Sequence, residues 1–297
     1  MTTIVDAPSR TIARTAFEAP LIYWHLLSLD APTVAALWTW FVARSAHISL
    51  PLSSVAAMFL AVWILYAADR LLDAQQLESA VPSDLEARHL FHHKHRKLFR
   101  IVILVCSLAL APLLLTIPAE AIRLYLIAGS LLFAWFVLIH AAPVLHGGKP
   151  GRLPKEIAVG VFFAAATFIP TVSRAPALRL SLLLPAILFA ALCSLNCLFI
   201  YAWEHPTPSV TATAHPTTRV ALHSLTLLAP ILTFVAFLLA VLQHNEFSPL
   251  LMAIALSASL LRLLHQTRPA SRIALRAAAD FVLLTPLLFI PFQHWKV

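Results

Sequence analysis

Nine long apolar stretches dominate this chain and limit what it can fold into. Each is long enough to cross a hydrocarbon core of about 30 Å as a helix. Because 60% of the residues are hydrophobic and only 11% are charged, a water-soluble fold has too few polar groups to cover its surface. The sequence therefore predicts an all-α polytopic membrane bundle of about nine transmembrane helices, at residues 26–46, 52–72, 99–117, 121–141, 156–173, 180–202, 220–242, 248–265 and 273–292.

Basic residues are divided unequally between the two sides of these predicted helices. Of the 21 lysines and arginines, 16 fall on the side that receives the N-terminus and the even-numbered loops, and 5 fall on the other. The positive-inside rule therefore predicts a cytoplasmic N-terminus and a membrane of the bacterial inner-membrane type. We expect a cytoplasmic tail at residues 1–20 and one transmembrane domain at 21–297. Because the long predicted loops 74–98, 142–155 and 203–219 face the cytoplasm, functional residues are expected on that side.

The glycines, the cysteines and the net charge argue against several classes of function. The five glycines form no phosphate-binding loop and no dinucleotide motif. The three cysteines all lie in apolar runs and indicate no disulfide framework. A formal charge of +8 is spread over helix ends, which favours contact with membrane lipid over nucleic acid. No feature of the sequence points to a particular protein partner.

Two aspartates stand at the predicted cytoplasmic end of the second helix, in Asp69-Arg70-Leu71-Leu72-Asp73. A spacing of four places both carboxylates on one helix face, about 6 Å apart. Two carboxylates in that arrangement can share a divalent cation such as Mg²⁺. The alternative is an ordinary interfacial helix end, whose aspartates pair with Arg70 or with neighbouring bases.

More polar residues are expected at the cytoplasmic ends of other helices. Asn196 and Glu204, eight residues apart, share one face of the predicted sixth helix. They are candidate ligands, although a buried asparagine that bonds a neighbouring helix, with a glutamate at the water line, explains them equally. Asp30 and Asp280 are further carboxylates near such ends, and Arg276 is placed one turn before Asp280 to neutralise it.

Basic residues cluster before the predicted third and fifth helices. The run from Arg88 to Lys97 contains four histidines but no carboxylate or cysteine, which disfavours a bound metal ion. Such a run suits anionic lipid headgroups, and also the phosphate oxygens of a polyanionic substrate. Lys155, at the start of the fifth helix, allows the same two interpretations.

Taken with the number of helices and the long cytoplasmic loops, these motifs resemble the UbiA superfamily of intramembrane prenyltransferases over residues 20–292. The segment 69–73 is similar to the later half of the first Asp-rich motif of that family, and 196–204 occupies the place of the second. The segments 29–32 and 153–160 resemble the starts of its first and fifth helices.

The chain departs from the family pattern inside both motifs. Leu65 and Tyr66 stand where the family has asparagine and an acidic residue. Ile200 stands between Asn196 and Glu204, where the four-residue spacing of the second motif would place another acidic residue. The resemblance is therefore to a divergent member. These replacements also favour an alternative, a non-catalytic isoprenoid-lipid-binding or assembly protein on the same scaffold.

The resemblance implies transfer of an isoprenyl group from a polyprenyl diphosphate to a lipophilic, membrane-soluble acceptor. In this family, carboxylates hold Mg²⁺ against the diphosphate and basic side chains hold its outer oxygens. Carried over by motif, the metal ligands and catalytic residues are Asp69, Asp73 and Glu204. The implied substrate-binding residues are Arg70, Arg88, Lys155, Asn196, Tyr66 and Tyr201.

Overall fold

The computed structural model describes residues 18–75, 87–146, 155–204, 216–243, 246–268 and 271–291, which are helical and contain no strand. The helices in chain order are α1 (Glu18–Leu26), α2 (Asp30–Ser45), α3 (Leu52–Gln75), α4 (Ala87–Lys94), α5 (Arg96–Leu114), α6 (Ala119–His146), α7 (Lys155–Arg174), α8 (Leu183–Glu204), α9 (Pro216–His223), α10 (Leu225–Gln243), α11 (Ser248–Thr267), α12 (Arg272–Phe281) and α13 (Pro286–Phe289). Short 3₁₀ turns lie at Pro176–Leu178 and Val282–Leu284.

Six helices in the described part of the chain are long and apolar enough to cross a membrane, namely α3, α5, α7, α8, α10 and α11. They coincide with the predicted second, third, fifth, sixth, seventh and eighth spans. The all-α prediction is therefore confirmed, and six of the predicted spans are helices of sufficient length and hydropathy to cross a membrane. Counting α1 and α2 together as one bent span raises the number to seven. The total of nine and the cytoplasmic N-terminus stay predictions, and some side chains of α6, on the predicted fourth span, lie outside the described residues.

The first predicted span differs from the structure in shape. In place of a continuous helix from residue 26, α1 and α2 meet at an angle of 87°. Ser28, in the connection, has a φ of 59°, a left-handed conformation that stops a right-handed helix. Pro32 is accommodated in the first turn of α2, where the backbone N–H groups have no helical partner.

The ninth predicted span is broken near Pro286, which has no N–H to donate to the carbonyl of Val282 four residues earlier. That carbonyl accepts a hydrogen bond from Ser257 Oγ at 3.1 Å. The neighbouring carbonyl of Leu283 accepts one from Trp38 Nε1 at 2.7 Å. Because an unpaired carbonyl inside a bilayer is costly, these bonds from α11 and α2 stabilise the break.

The core lies where α2, α7, α8 and α11 pack together. Trp38 of α2 and Phe189 of α8 are fully buried, with ring centroids 4.3 Å apart. Helices α7 and α8 approach closely at Gly160, where an added Cβ would lie 2.2 Å from Ser194 Oγ. By contrast, Phe99 alone is buried along α5, so this helix lies at the periphery of the described bundle.

Candidate functional site

A group of charged side chains is buried where the α1–α2 bend meets α3 and α12. His25 Nδ1 contacts Asp30 Oδ2, and neither side chain has exposed surface. Arg70 of α3 lies 3.3 Å from the same carboxylate oxygen. Asp280 of α12 is close by, since His25, Asp30 and Asp280 offer ligand atoms that all lie within 4.8 Å of one another. We call these four residues the buried polar cluster.

Arg70 is bound into this cluster rather than presented at the surface of the protein. Its Nη1 donates to the carbonyl of His25 at 2.5 Å and to Ser28 Oγ at 3.1 Å, and its side chain is 5% exposed. The sequence predicted a diphosphate contact for Arg70 beside Asp69. Adjacent helical residues point about 100° apart, which allows Arg70 to face the α1–α2 bend while Asp69 is exposed.

The predicted group on the sixth span is divided between two partners on α12. Asn196 Nδ2 donates to Asp280 Oδ1 at 2.7 Å, and Arg276 Nη1 contacts Glu204 Oε1. Arg276 was expected to neutralise Asp280 on its own helix, whereas this contact reaches Glu204 on α8. Because Arg276 and Glu204 are only 22% and 14% exposed, the guanidinium compensates much of the charge on Glu204.

Tyr66 and Asn196, predicted from different motifs, are brought to one small cavity beside Asp280. The cavity has a volume of about 30 Å³. That is the space of one water molecule, and it is too small for a prenyl chain. The side-chain oxygen of Asn196 has no hydrogen-bond partner among the described residues. The α3 and α8 motifs therefore both border a cavity of the size of one water molecule rather than a chamber for substrate.

A second feature of α3 is a stripe formed by Met58, Val62, Leu65, Asp69 and Asp73, at successive spacings of three or four residues. We call it the α3 stripe. Its three apolar residues line a cavity of about 290 Å³ bounded by α3, α6 and α7. Asp69 is exposed, and Asp73 is helical but its side chain lies outside the description. One face of α3 thus joins an acidic end to an apolar cavity.

The other predicted substrate contacts are placed only in part. Arg88 belongs to α4 and Lys155 is the first residue of α7, but both side chains lie outside the described set. Tyr201 is half-buried on α8, about one turn before Glu204. Convergence of these three residues on Asp69 stays a prediction.

His25 is a site residue that sequence reasoning overlooked. A signal was present, because a histidine lies five residues before Asp30 in an otherwise apolar segment. A polar side chain buried in such a segment needs a partner. The sharp bend that brings the two side chains together is a tertiary feature, and the sequence pattern predicted a continuous helix instead.

The type and charge of the available ligand atoms indicate which residues suit a divalent cation. Asp69 and Asp73 are one helical turn apart along α3, and two carboxylates at that spacing suit Mg²⁺. Glu204 suits it less, because Arg276 already contacts its carboxylate. His25, Asp30 and Asp280 bring nitrogen and oxygen donors together, but Arg70 lies against Asp30, and its positive charge opposes a second cation.

Comparison with known proteins adds nothing to the resemblance to the UbiA superfamily, which depends on the sequence motifs alone. No family model, no curated protein and no solved structure gives a significant match to this chain.

Proposed function

We propose that this protein is a divergent UbiA-like prenyltransferase, which transfers an isoprenyl group from a polyprenyl diphosphate to a lipophilic acceptor. The α3 stripe supports the proposal, because Asp69 and Asp73 stand at one end and the 290 Å³ apolar cavity follows along the same face. Ser54, at the far end of the cavity, is about 22 Å along the helix from Asp69. A diphosphate headgroup followed by a hydrocarbon chain matches this order of polar and apolar surface.

The proposed reaction assigns each group a simple task. The allylic C–O bond breaks, the diphosphate leaves with the electron pair, and the acceptor bonds to the allylic carbon and releases a proton. Asp69 and Asp73 would hold Mg²⁺, which would supply positive charge to the leaving diphosphate. Arg88 and Lys155 are proposed to hold its outer oxygens. The apolar cavity keeps water from the allylic carbon.

The test is a transfer assay with the purified full-length protein and Mg²⁺. Radiolabelled polyprenyl diphosphates of several chain lengths are offered together with a lipid extract of the host membrane as the source of acceptor. Label should enter the lipid product, and Asp69→Asn or Asp73→Asn should lower the rate on the order of 100-fold.

Glu120→Gln is the matched control, because it makes the same acid-to-amide change at the start of α6. Glu120 contacts Arg179, a residue outside the proposed site. This variant should keep the wild-type rate. Absence of transfer with every chain length, from protein that remains folded, contradicts the proposal.

A second candidate is a non-catalytic protein that binds an isoprenoid lipid. The contact between Arg276 and Glu204 favours it, because two-metal prenyl transfer needs a second carboxylate group free to bind an ion. Binding of a non-hydrolysable isoprenyl thiodiphosphate, measured beside the transfer assay with the true diphosphate, separates the candidates. Under this alternative, the analogue with Mg²⁺ raises the melting temperature although no transfer occurs. Absence of both stabilisation and transfer contradicts both candidates.

A further inference from the structure

A groove of about 480 Å³ runs between α3 and α5 under the α1–α2 bend, separate from the α3 stripe. Its volume lies within the range of small-molecule sites, roughly 300–1,000 Å³. The walls are apolar and aromatic except for His95 at one end. The principal wall residues are Phe59, Leu60, Trp63, Phe99, Val102 and Cys106.

The length of the groove matches one leaflet of a bilayer. His95, the residue just before α5, and Cys106 of α5 lie near its two ends, about 16 Å apart along the helix axis. The hydrocarbon core of a bilayer is about 30 Å thick, so the groove has the depth of one leaflet. On the opposite face of α5, Leu104 and Leu108 are 60% and 66% exposed, which places this helix at the lipid-facing side of the bundle.

Cations surround the His95 end of the groove. Lys94, Arg96 and Lys97 are exposed there. Lys94 and Arg96 are the residues on either side of His95 in the sequence, so both lie next to this end of the groove. No acidic residue occurs in the sequence between Ala87 and Ile117, so the segment carries no acid of its own to compensate these charges.

The basic mouth is held in position by a buried histidine of α4. His92 Nε2 lies 3.2 Å from Ser28 Oγ, and the same hydroxyl accepts a hydrogen bond from Arg70. The His92 ring also packs against Phe99, with ring centroids 4.3 Å apart. The α4–α5 junction is therefore fixed to the α1–α2 bend, so the backbone that carries these cations is held in place before a ligand arrives.

From these four observations we propose that the groove between α3 and α5 binds an anionic phospholipid. One acyl chain fills the groove, and Lys94 and Arg96 hold the headgroup phosphate. The occupant is a lipid of a single leaflet because the depth is that of one leaflet, and it is anionic because the mouth is basic. The proposal does not depend on the prenyltransferase proposal.

The first test measures lipid binding by native mass spectrometry of the full-length protein in detergent. Phosphatidylglycerol and phosphatidylcholine with identical acyl chains are titrated separately. Phosphatidylglycerol should bind more tightly than phosphatidylcholine. The double variant Lys94→Gln with Arg96→Gln should weaken the binding of phosphatidylglycerol roughly thirtyfold, because each cation near an anionic headgroup contributes to the free energy of binding. The matched control is Arg262→Gln with Arg272→Gln, because both arginines are exposed elsewhere on the protein.

The second test fills the groove without changing charge. Cys106→Trp should weaken phosphatidylglycerol binding, whereas Leu104→Trp, on the opposite face of α5, should leave it unchanged. As a measure that does not fill the groove, phosphatidylglycerol with brominated acyl chains should quench tryptophan fluorescence more in the wild type than in Trp63→Phe, which removes the indole that lines the groove. Equal binding of the two lipids, or equal quenching in both proteins, overturns the proposal.

Discussion

Arg70 Nη2 lies 3.3 Å from Asp30 Oδ2, and both side chains are buried. The pair joins α3 to the first residue of α2 across the α1–α2 bend. Removing one partner leaves an uncompensated charge in a poorly hydrated interior. The relationship therefore assigns Arg70 a structural role that its position inside an Asp-rich motif did not suggest.

Arg70→Met should lower the free energy of unfolding by about 3–5 kcal/mol, because Asp30 loses its guanidinium partner. The double variant Arg70→Met with Asp30→Asn should recover most of that loss, since neither side chain then carries a charge. Unfolding of the purified protein in mixed detergent micelles measures both effects. A double variant as unstable as Arg70→Met contradicts the charge-pair explanation.

Gly160→Ala should destabilise the protein by about 1–3 kcal/mol, because the new methyl group overlaps Ser194 and forces α7 and α8 apart. Gly129→Ala is the control, since an added Cβ there meets nothing within 4 Å. Thermal unfolding of the two variants should therefore differ clearly. Equal melting temperatures for both variants would show that α7 and α8 adjust without cost.

Ser257→Ala should cost about 1–3 kcal/mol, because the carbonyl of Val282 loses the donor that compensates for Pro286. Ser259→Ala is a control on the same helix, since its hydroxyl bonds the Ala255 carbonyl of the preceding turn. Proteolysis of the C-terminal region under native conditions should be faster in Ser257→Ala than in Ser259→Ala. Identical cleavage rates contradict a role for Ser257 at the break.

Glu204→Gln should lower the free energy of unfolding by about 2 kcal/mol, because it removes a charge-assisted hydrogen bond from Arg276. Asp69→Asn, at an exposed position, should change it by only about 0.5 kcal/mol or less. Chemical unfolding without Mg²⁺ tests this contrast. A Glu204→Gln protein as stable as the wild type would show that the contact with Arg276 does not stabilise the fold.

The parts of the fold that follow from local pattern were predictable. Six spans were located from hydropathy, because a helix that crosses lipid must be long and apolar throughout. The two spans with unexpected shape contain Ser28 and Pro286, at which the backbone leaves the α-helix. The geometry of the Pro286 break depends on Trp38 and Ser257. The geometry of the α1–α2 bend depends on Arg70, and all three partners lie far from these positions in the sequence.

In the candidate site, too, the spacing within one helix was predictable from the sequence, and the contacts between helices were not. The spacing of Asp69 and Asp73 on one face of α3 follows from helix geometry alone. The partners of Arg70, Asn196 and Glu204 do not, because each reaches another helix. A sequence pattern reports which residues share a helix face, but it does not report which helix that face meets.

By itself, the sequence determined a helical membrane protein with acidic and basic residues gathered at helix ends, because lipid imposes hydropathy and helical periodicity residue by residue. Only the tertiary structure decided that Asp30, Arg70 and Asp280 lie together and that Glu204 contacts Arg276. The physical reason is that a charge in a low-dielectric interior takes the nearest compensating group in space, and distance in space is fixed by packing rather than by order along the chain.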